Sequence, residues 1–298
     1  MLEPIATTLK GCAAGAVLVL NTVVFTAAMV PFALAKLVVP AARVRRVVDR
    51  VLNALAGAWV RLNTAWMAAV GRTRWDVAGL EGLNRRGWYL VVSNHASWVD
   101  ILVLQKVFDG RIPMLKFFLK QELIWVPVIG LAWWALDFPF LRRGRGGASG
   151  QLDLAATRRA CERFKLVPTS VISFVEGTRF TPAKHATQSS PYAHLLKPKA
   201  GGVAIALATM GRQFDAALDV TIVYPQGTPT FWDLLTGRVR EVIVRVQRRA
   251  IPADLVDDGA RADAQHRARV QAWLNAMWEE KDRTIGALLR ERGATGSG

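Results

Sequence analysis

The chain has 298 residues, room for one large domain or two small ones at roughly 150 residues each. Residues AVILMFWYC make up 52% before its 24 glycines are added, which already exceeds the about 45–50% of a soluble domain with glycine included and excludes a disordered chain. Its 39 Lys and Arg against 23 Asp and Glu leave a net charge of +16, so the surface expects nucleic acid, anionic lipid or a phosphorylated substrate as partner.

From Gly11 to Ala35 no residue is charged, and Lys10 and Lys36 bound the run. As a helix it is about 37 Å long, more than a hydrocarbon core of about 30 Å requires. Asn21, Thr22 and Thr26 interrupt it mildly, and Pro31 can kink it. Ala33-Leu34-Ala35 has the look of a cleavage site, so a removed signal peptide is a rival reading. The run is longer than an h-region of about 7–15 residues, and the leader before it is not clearly basic. A buried core helix is a second rival.

Next, Val44, Val47, Val48, Val51, Leu52 and Leu55 recur at helical spacing with Arg43, Arg45, Arg46 and Arg50 between them. This reads as a basic amphipathic helix, with Trp59 and Trp66 expected in a headgroup zone. A hairpin returning to one leaflet and a single span both remain open. In the spanning arrangement the arginines place the rest of the chain on the cytoplasmic side. Residues 1–70 therefore read as a membrane-anchoring unit and 71–298 as a second domain.

After Gly71 short apolar runs alternate with helical stretches. Trp88–Val92, Ser170–Val175 and Ala217–Val223 read as buried strands, and Arg238–Val246 as a strand with one wet face. Ile101–Phe108, Asp153–Leu166 and Gly202–Met210 read as helices. Arg142–Gly150 and Thr181–Pro198 read as loops, and Ala260–Arg292 as a charged closing helix. Strand–helix alternation predicts an α/β domain whose mixed, largely parallel sheet is flanked by helices.

Ser93-Asn94-His95-Ala96-Ser97-Trp98-Val99-Asp100 follows the first of those strands. His95 and Asp100 on one regular helix would diverge by about 140°. They meet only if His95 lies in a turn and Asp100 in the first turn of the next helix. A carboxylate on one imidazole nitrogen fixes the tautomer and leaves the other nitrogen a better base. Phe174-Val175-Glu176-Gly177-Thr178-Arg179 follows a second buried strand. A glycine turn bearing a hydroxyl and an arginine can cradle an anion, and Glu176 can hold that arginine or a substrate hydroxyl.

His-x4-Asp after one strand, with Glu-Gly-Thr-Arg about 80 residues on after another, resembles the glycerolipid acyltransferase family, whose members include the enzymes acylating 1-acylglycerol-3-phosphate. The likeness runs from about Trp88 to Pro225. It takes in Gly130, Arg142 after Phe138-Pro139-Phe140-Leu141, the basic-glycine turn Lys199-Ala200-Gly201-Gly202, and Val223-Tyr224-Pro225. Phe-Val-Glu-Gly-Thr-Arg-Phe-Thr, with Lys184 and His185 after it, is most similar to the bacterial YihG-type branch and its eukaryotic relatives. Val175 stands where the common form has proline.

The resemblance implies acyl transfer from acyl-CoA, or in some members acyl carrier protein, to the free glycerol hydroxyl of lysophosphatidic acid, giving phosphatidic acid without a cofactor. His95 would be the base and Asp100 its orienting partner. Glu176, Gly177, Thr178 and Arg179 would bind the phosphate and glycerol end of the acceptor. Arg142 or the adjacent Arg143 would be a second phosphate contact, with Lys199, Lys116 and Lys120 as sources of positive potential. The implied setting is a bacterial inner membrane with the catalytic domain toward the cytoplasm. Another lysophospholipid, a lipid-A or ornithine-lipid acceptor, or a non-catalytic membrane lipid-binding protein are the competing readings.

Other motifs say less. Cys12 and Cys161 exclude a disulfide framework and a cysteine metal cluster, and neither sits where a nucleophile is expected. His185, His194 and His266 lack metal-ligand spacing with His95. Trp125, Trp133 and Trp134 read as packing residues. The basic residues form no single reading helix, which argues against nucleic acid.

Overall fold

The computed structural model describes residues 2–39, 41–117, 119–138, 140–141, 168–256 and 263–295. Two long helices come first, α1 (Leu2–Val38) and α2 (Ala42–Val70). They form an antiparallel hairpin. Trp66 Nε1 donates to the Ala14 carbonyl at 3.1 Å, Asn21 donates to Asn63 at 2.6 Å, and Lys36 pairs with Asp49 at 2.7 Å. Asn21 is tolerated inside an apolar run because its NH2 group donates to a second buried amide.

Val48, Leu52, Ala56, Trp59 and Trp66 are buried on α2, at the three- and four-residue spacing of one helical stripe. Both tryptophans therefore pack inside the protein, which corrects the expectation of a headgroup position. The outer side of α1 stays bare: Val17, Val19, Leu20, Val23 and Val24 are exposed, and only 22% of its most apolar window is buried. Among the described residues it is the one helix long and apolar enough to cross a membrane.

The strands are β1 (Arg74–Ala78), β2 (Tyr89–Ser93), β3 (Leu115–Phe117), β4 (Leu119–Lys120), β5 (Phe140–Leu141), β6 (Ser170–Phe174), β7 (Ala216–Val223) and β8 (Glu241–Arg249). Six of them form one sheet in the order β1-β8-β7-β2-β6-β3, while β4 and β5 pair separately. All pairings in the large sheet are parallel except β7 with β8, so the sheet is mixed and largely parallel. All five residues of β2 are buried, as a strand bonded on both edges and covered on both faces requires. The expected wet face of β8 is confined to its far end. Its first four residues are buried, because the strand lies between β1 and β7 rather than at an edge.

Helices α3 (Val99–Phe108), α4 (Ile129–Ala135), α5 (Pro182–Gln188), α6 (Gly201–Met210), α7 (Phe231–Leu235) and α8 (Ala264–Thr295) complete the described α-helices. Strand side chains alternate between two cores. Tyr89 and Val91 of β2 join one cluster with residues of α1 to α4, and Leu90 and Val92 join another with α6 and α8. The helical hairpin thus shares a core with one face of the sheet. Helix α5 lies in the stretch read as a loop. Thr181 Oγ1 accepts from the Lys184 amide at 3.2 Å with Pro182 next to the cap, a start signal that a seven-residue helix does not advertise by periodicity. The expected loop over 142–150 and helix over 153–166 lie outside the described residues.

Candidate active site

The register that places Ser93 beside Phe174 brings the ends of β2 and β6 together, so the turns after them leave the sheet side by side. After β2 the chain makes a turn holding His95, and Asp100 falls in the first turn of α3. His95 Nδ1 and Asp100 Oδ2 are 2.8 Å apart. The same oxygen accepts the amides of Ala96 at 2.7 Å and Ser97 at 2.9 Å, so the carboxylate ties down the turn ahead of α3 and holds the imidazole at once. Its other oxygen accepts the Tyr224 hydroxyl at 2.6 Å. Asp100 is fully buried, and its acceptor role puts the proton on Nδ1 and leaves Nε2 as the basic nitrogen.

The turn is fixed from behind. Asn94 exchanges two hydrogen bonds with the backbone of Ile222, both 2.9 Å, and Ser97 Oγ donates to the Pro229 carbonyl at 2.6 Å. The His95 ring stacks on Phe174 with centroids 4.0 Å apart. Burial and the neighbouring Asp100 charge push the Tyr224 phenol well above its usual range, so it remains a donor to the carboxylate.

Glu176 joins this turn to the second motif. Its Oε1 accepts the His95 amide at 2.9 Å, and its Oε2 accepts the Leu196 amide at 3.0 Å. Phe180 N donates to the His95 carbonyl at 2.7 Å, closing the same junction. Glu176 is fully buried with both oxygens engaged by backbone, so it clamps the two turns and does not meet a substrate as the sequence alone suggests. Loss of hydration pushes its carboxyl up to about 7, against the pull of those two amides.

Gly177 has φ +70, the left-handed conformation that favours glycine, and the Lys199 side chain passes 3.6 Å from where a Cβ would stand. The Lys199 amide donates to the Val175 carbonyl at 2.8 Å. Thr178 Oγ1 accepts from Lys184 Nζ at 2.8 Å, and that amine also donates to the Arg179 carbonyl at 3.0 Å. The Arg179 guanidinium lies 4.5 Å from the ring centroid of Trp98, the residue opening α3. His95, Asp100, Gly177, Thr178, Arg179 and Lys199 are therefore neighbours. Arg142 and Arg143 lie outside the described residues. Lys116 belongs elsewhere: burial pushes its ammonium down to about 8 among Asp137, Lys36 and Asp49.

Beneath the site, Lys281 of α8 is buried, pairs with Asp219, and donates to the Val220 carbonyl and to Thr221 Oγ1 at 3.2 Å. Asp219 also takes Arg249 Nε at 3.0 Å. Sequence reasoning missed the parts played by Tyr224, Trp98, Lys184 and Lys281. For Lys281 a signal existed. It falls on the stripe of Val270, Leu274, Met277, Trp278 and Ile285 that α8 turns inward, where a charge must find a partner.

A model of the Acyltransferase family matches residues 74–225, just over half of the chain. The 1-acyl-sn-glycerol-3-phosphate acyltransferase delta of Bos taurus is 25% identical over 221 residues, covering 70% of this chain and 54% of that protein. Lysocardiolipin acyltransferase 1 of Danio rerio is 27% identical over 261 residues, covering 82% of this chain and 62% of that one. The chain thus spans about half to three-fifths of the length of these curated relatives. The crystal structure of the 1-acyl-sn-glycerophosphate (LPA) acyltransferase PlsC from Thermotoga maritima superposes with a TM-score of 0.56 at 18% identity, over 95% of this chain and 98% of that one, which establishes a shared fold. The matched segment carries both turns, from the His95–Asp100 pair through Glu176–Arg179 to Tyr224, and on that match the chain belongs to the acyltransferase family.

Proposed function

We propose that the chain transfers a fatty acyl group from acyl-CoA to the free glycerol hydroxyl of 1-acylglycerol-3-phosphate at a membrane surface, giving phosphatidic acid. The observation that carries this is the 2.8 Å contact between His95 Nδ1 and the buried, four-bonded Asp100, which leaves Nε2 as a base. His95 Nε2 takes the hydroxyl proton as the oxygen attacks the thioester carbonyl. The carbon–sulfur bond breaks, and the imidazolium returns the proton to the departing thiolate. Asp100 steadies the imidazolium in between, and no acyl-enzyme forms. Base catalysis of this kind is worth about 10²–10⁴-fold.

Arg179 and Lys199, with Thr178 and the glycine turn between them, supply the positive potential for the acceptor phosphate. The bare apolar side of α1 and the arginines of α2 support attachment of the whole domain to lipid, which spares a long-chain acceptor from being drawn into water at about 0.8 kcal/mol per methylene. The lysocardiolipin acyltransferase among the relatives favours a second reading, in which the acceptor is a phosphodiester lysolipid.

The test is mass spectrometry of the lipid made by detergent-purified protein from an acyl-CoA mixture and a panel of lysolipids. Phosphatidic acid from lysophosphatidic acid is the expected product, lost at least 10²-fold in His95→Ala. Undiminished transfer by that variant removes His95 as the base, and preference for lysocardiolipin moves the assignment to the second reading.

A further inference from the structure

The end of the sheet opposite His95 holds a cavity of about 480 Å³ between α2 and the connection from α3 to β3. Leu115 at the start of β3 and Pro168 ahead of β6 line it, whereas His95 lies past the other end of β2. Along α3, the lining residues Gln105 and Phe108 lie about 8 and 12 Å from Asp100. Arg50 and Arg61 of α2 and Arg85 of the β1–β2 connection converge on this space, against the single carboxylate of Asp109. Among the described residues none of the three arginines makes an ion pair. Arg50 Nε donates to the Arg46 carbonyl at 3.4 Å, and Arg85 Nε donates to the Gly110 carbonyl. Asn53 and Gln105 add neutral polar groups to the wall.

The exposed side of α2 explains what such a cavity meets. At 100° per residue, Arg43, Arg50 and Arg61 fall within about 20° of one line along the helix. Val44, Val47 and Leu62, all exposed, lie roughly 40–120° around from it, on the side away from the cavity. An exposed apolar band bordered by a row of arginines is how a helix lies at a lipid interface, with guanidiniums at the level of the phosphates. Cations that pair with no carboxylate among the described residues are suited to phosphate oxygens, which guanidinium binds in its fixed fork.

We infer that the Arg50–Arg61–Arg85 cavity binds the phosphate headgroup of one anionic membrane phospholipid, a site separate from the catalytic one. This rests on the membrane reading above. The headgroup sits between α2 and the end of α3, and so fixes the rotation of the α2 face against the bilayer. Arg85 also closes the end of α3 through Gly110, so Arg50 and Arg61, both exposed, are the residues to change.

The experiment titrates the full chain in detergent micelles with phosphatidylglycerol or phosphatidylcholine and counts bound lipid by native mass spectrometry. The expected result is one phosphatidylglycerol held about tenfold more tightly than phosphatidylcholine. Arg50→Gln with Arg61→Gln should remove that preference. Arg45→Gln with Arg46→Gln, the same charge change on the same helix outside the cavity and off that row, should leave it within about twofold. Equal retention of the two lipids, or an equal loss in the control pair, overturns the site in favour of a diffuse basic surface. Displacement of phosphatidylglycerol by free CoA also overturns it, since the phosphate would then be that of a soluble nucleotide. Flotation with phosphatidylglycerol–phosphatidylcholine vesicles reads the membrane attachment separately. Protein that binds the lipid in micelles yet fails to float keeps the cavity and loses the membrane reading.

Discussion

Tyr224 donates its hydroxyl to Asp100 Oδ1 at 2.6 Å while His95 occupies Oδ2, so two donors from distant parts of the chain divide one buried carboxylate. The phenol draws negative charge away from the side that holds the imidazolium. Tyr224→Phe removes that competition, and the carboxylate then grips the protonated imidazole more firmly. The acid limb of the pH–rate profile should move to higher pH, with kcat reduced about tenfold or more, the size of one lost hydrogen bond to a charged group. A variant that lowers only the melting temperature and leaves the profile in place would reduce Tyr224 to a packing residue.

Trp98 offers Arg179 a ring face at 4.5 Å while remaining half in solvent. An exposed pair of this kind is worth about 0.5–1 kcal/mol. Trp98→Ala should raise the acceptor KM about two- to fivefold with kcat little changed, and Trp98→Phe should restore part of the loss. Equal effects on an acceptor lacking the phosphate would break the link between this pair and phosphate binding.

These two relationships mark where the sequence can be read and where it cannot. The sheet and most of its helices are legible because β2, β6 and β7 are short runs dominated by apolar residues, and the strand–turn–helix reading puts His95 within reach of Asp100. Short elements such as β3 and α7 span too few residues for a period to declare itself. The sequence puts Glu176 at the correct turn with the wrong partner, because burial decides whether a carboxylate meets substrate or backbone, and burial is a property of the assembled sheet. Trp59 and Trp66 are misplaced for a related reason: composition marks an amphipathic helix without saying which stripe its neighbour covers.

Glu176 makes stability depend on pH. Its carboxyl is raised from 4.5 to about 7, so between those values the folded protein holds a proton that the unfolded chain has released. The contribution is complete below about pH 4.5 and is lost as pH rises through 7, an upper bound of about 3 kcal/mol. The melting temperature should therefore fall from pH 5 to pH 8. Glu176→Gln should flatten that slope while lowering the whole curve, since one amide loses its acceptor to an NH2 group. A slope that persists in the variant assigns the dependence to another group.

Lys281 presents the sharpest stability test, because its ammonium is buried in the apolar stripe of α8 and is held there by Asp219 and two groups of β7. Burial pushes its proton affinity down while Asp219 and Glu176 pull it back up. Lys281→Met fills the same volume but leaves Asp219 to the partly exposed Arg249 and withdraws a positive charge from Glu176, so it should cost about 3–5 kcal/mol. Adding Asp219→Leu removes the stranded carboxylate and should recover much of that loss, since two well-packed apolar groups can replace a buried pair at little net cost. Denaturant titration of Lys281→Met, Asp219→Leu and the double variant decides the matter. Strict additivity of the single changes would show that Lys281 and Asp219 are not coupled, and the tie between α8 and the sheet would then rest on packing alone.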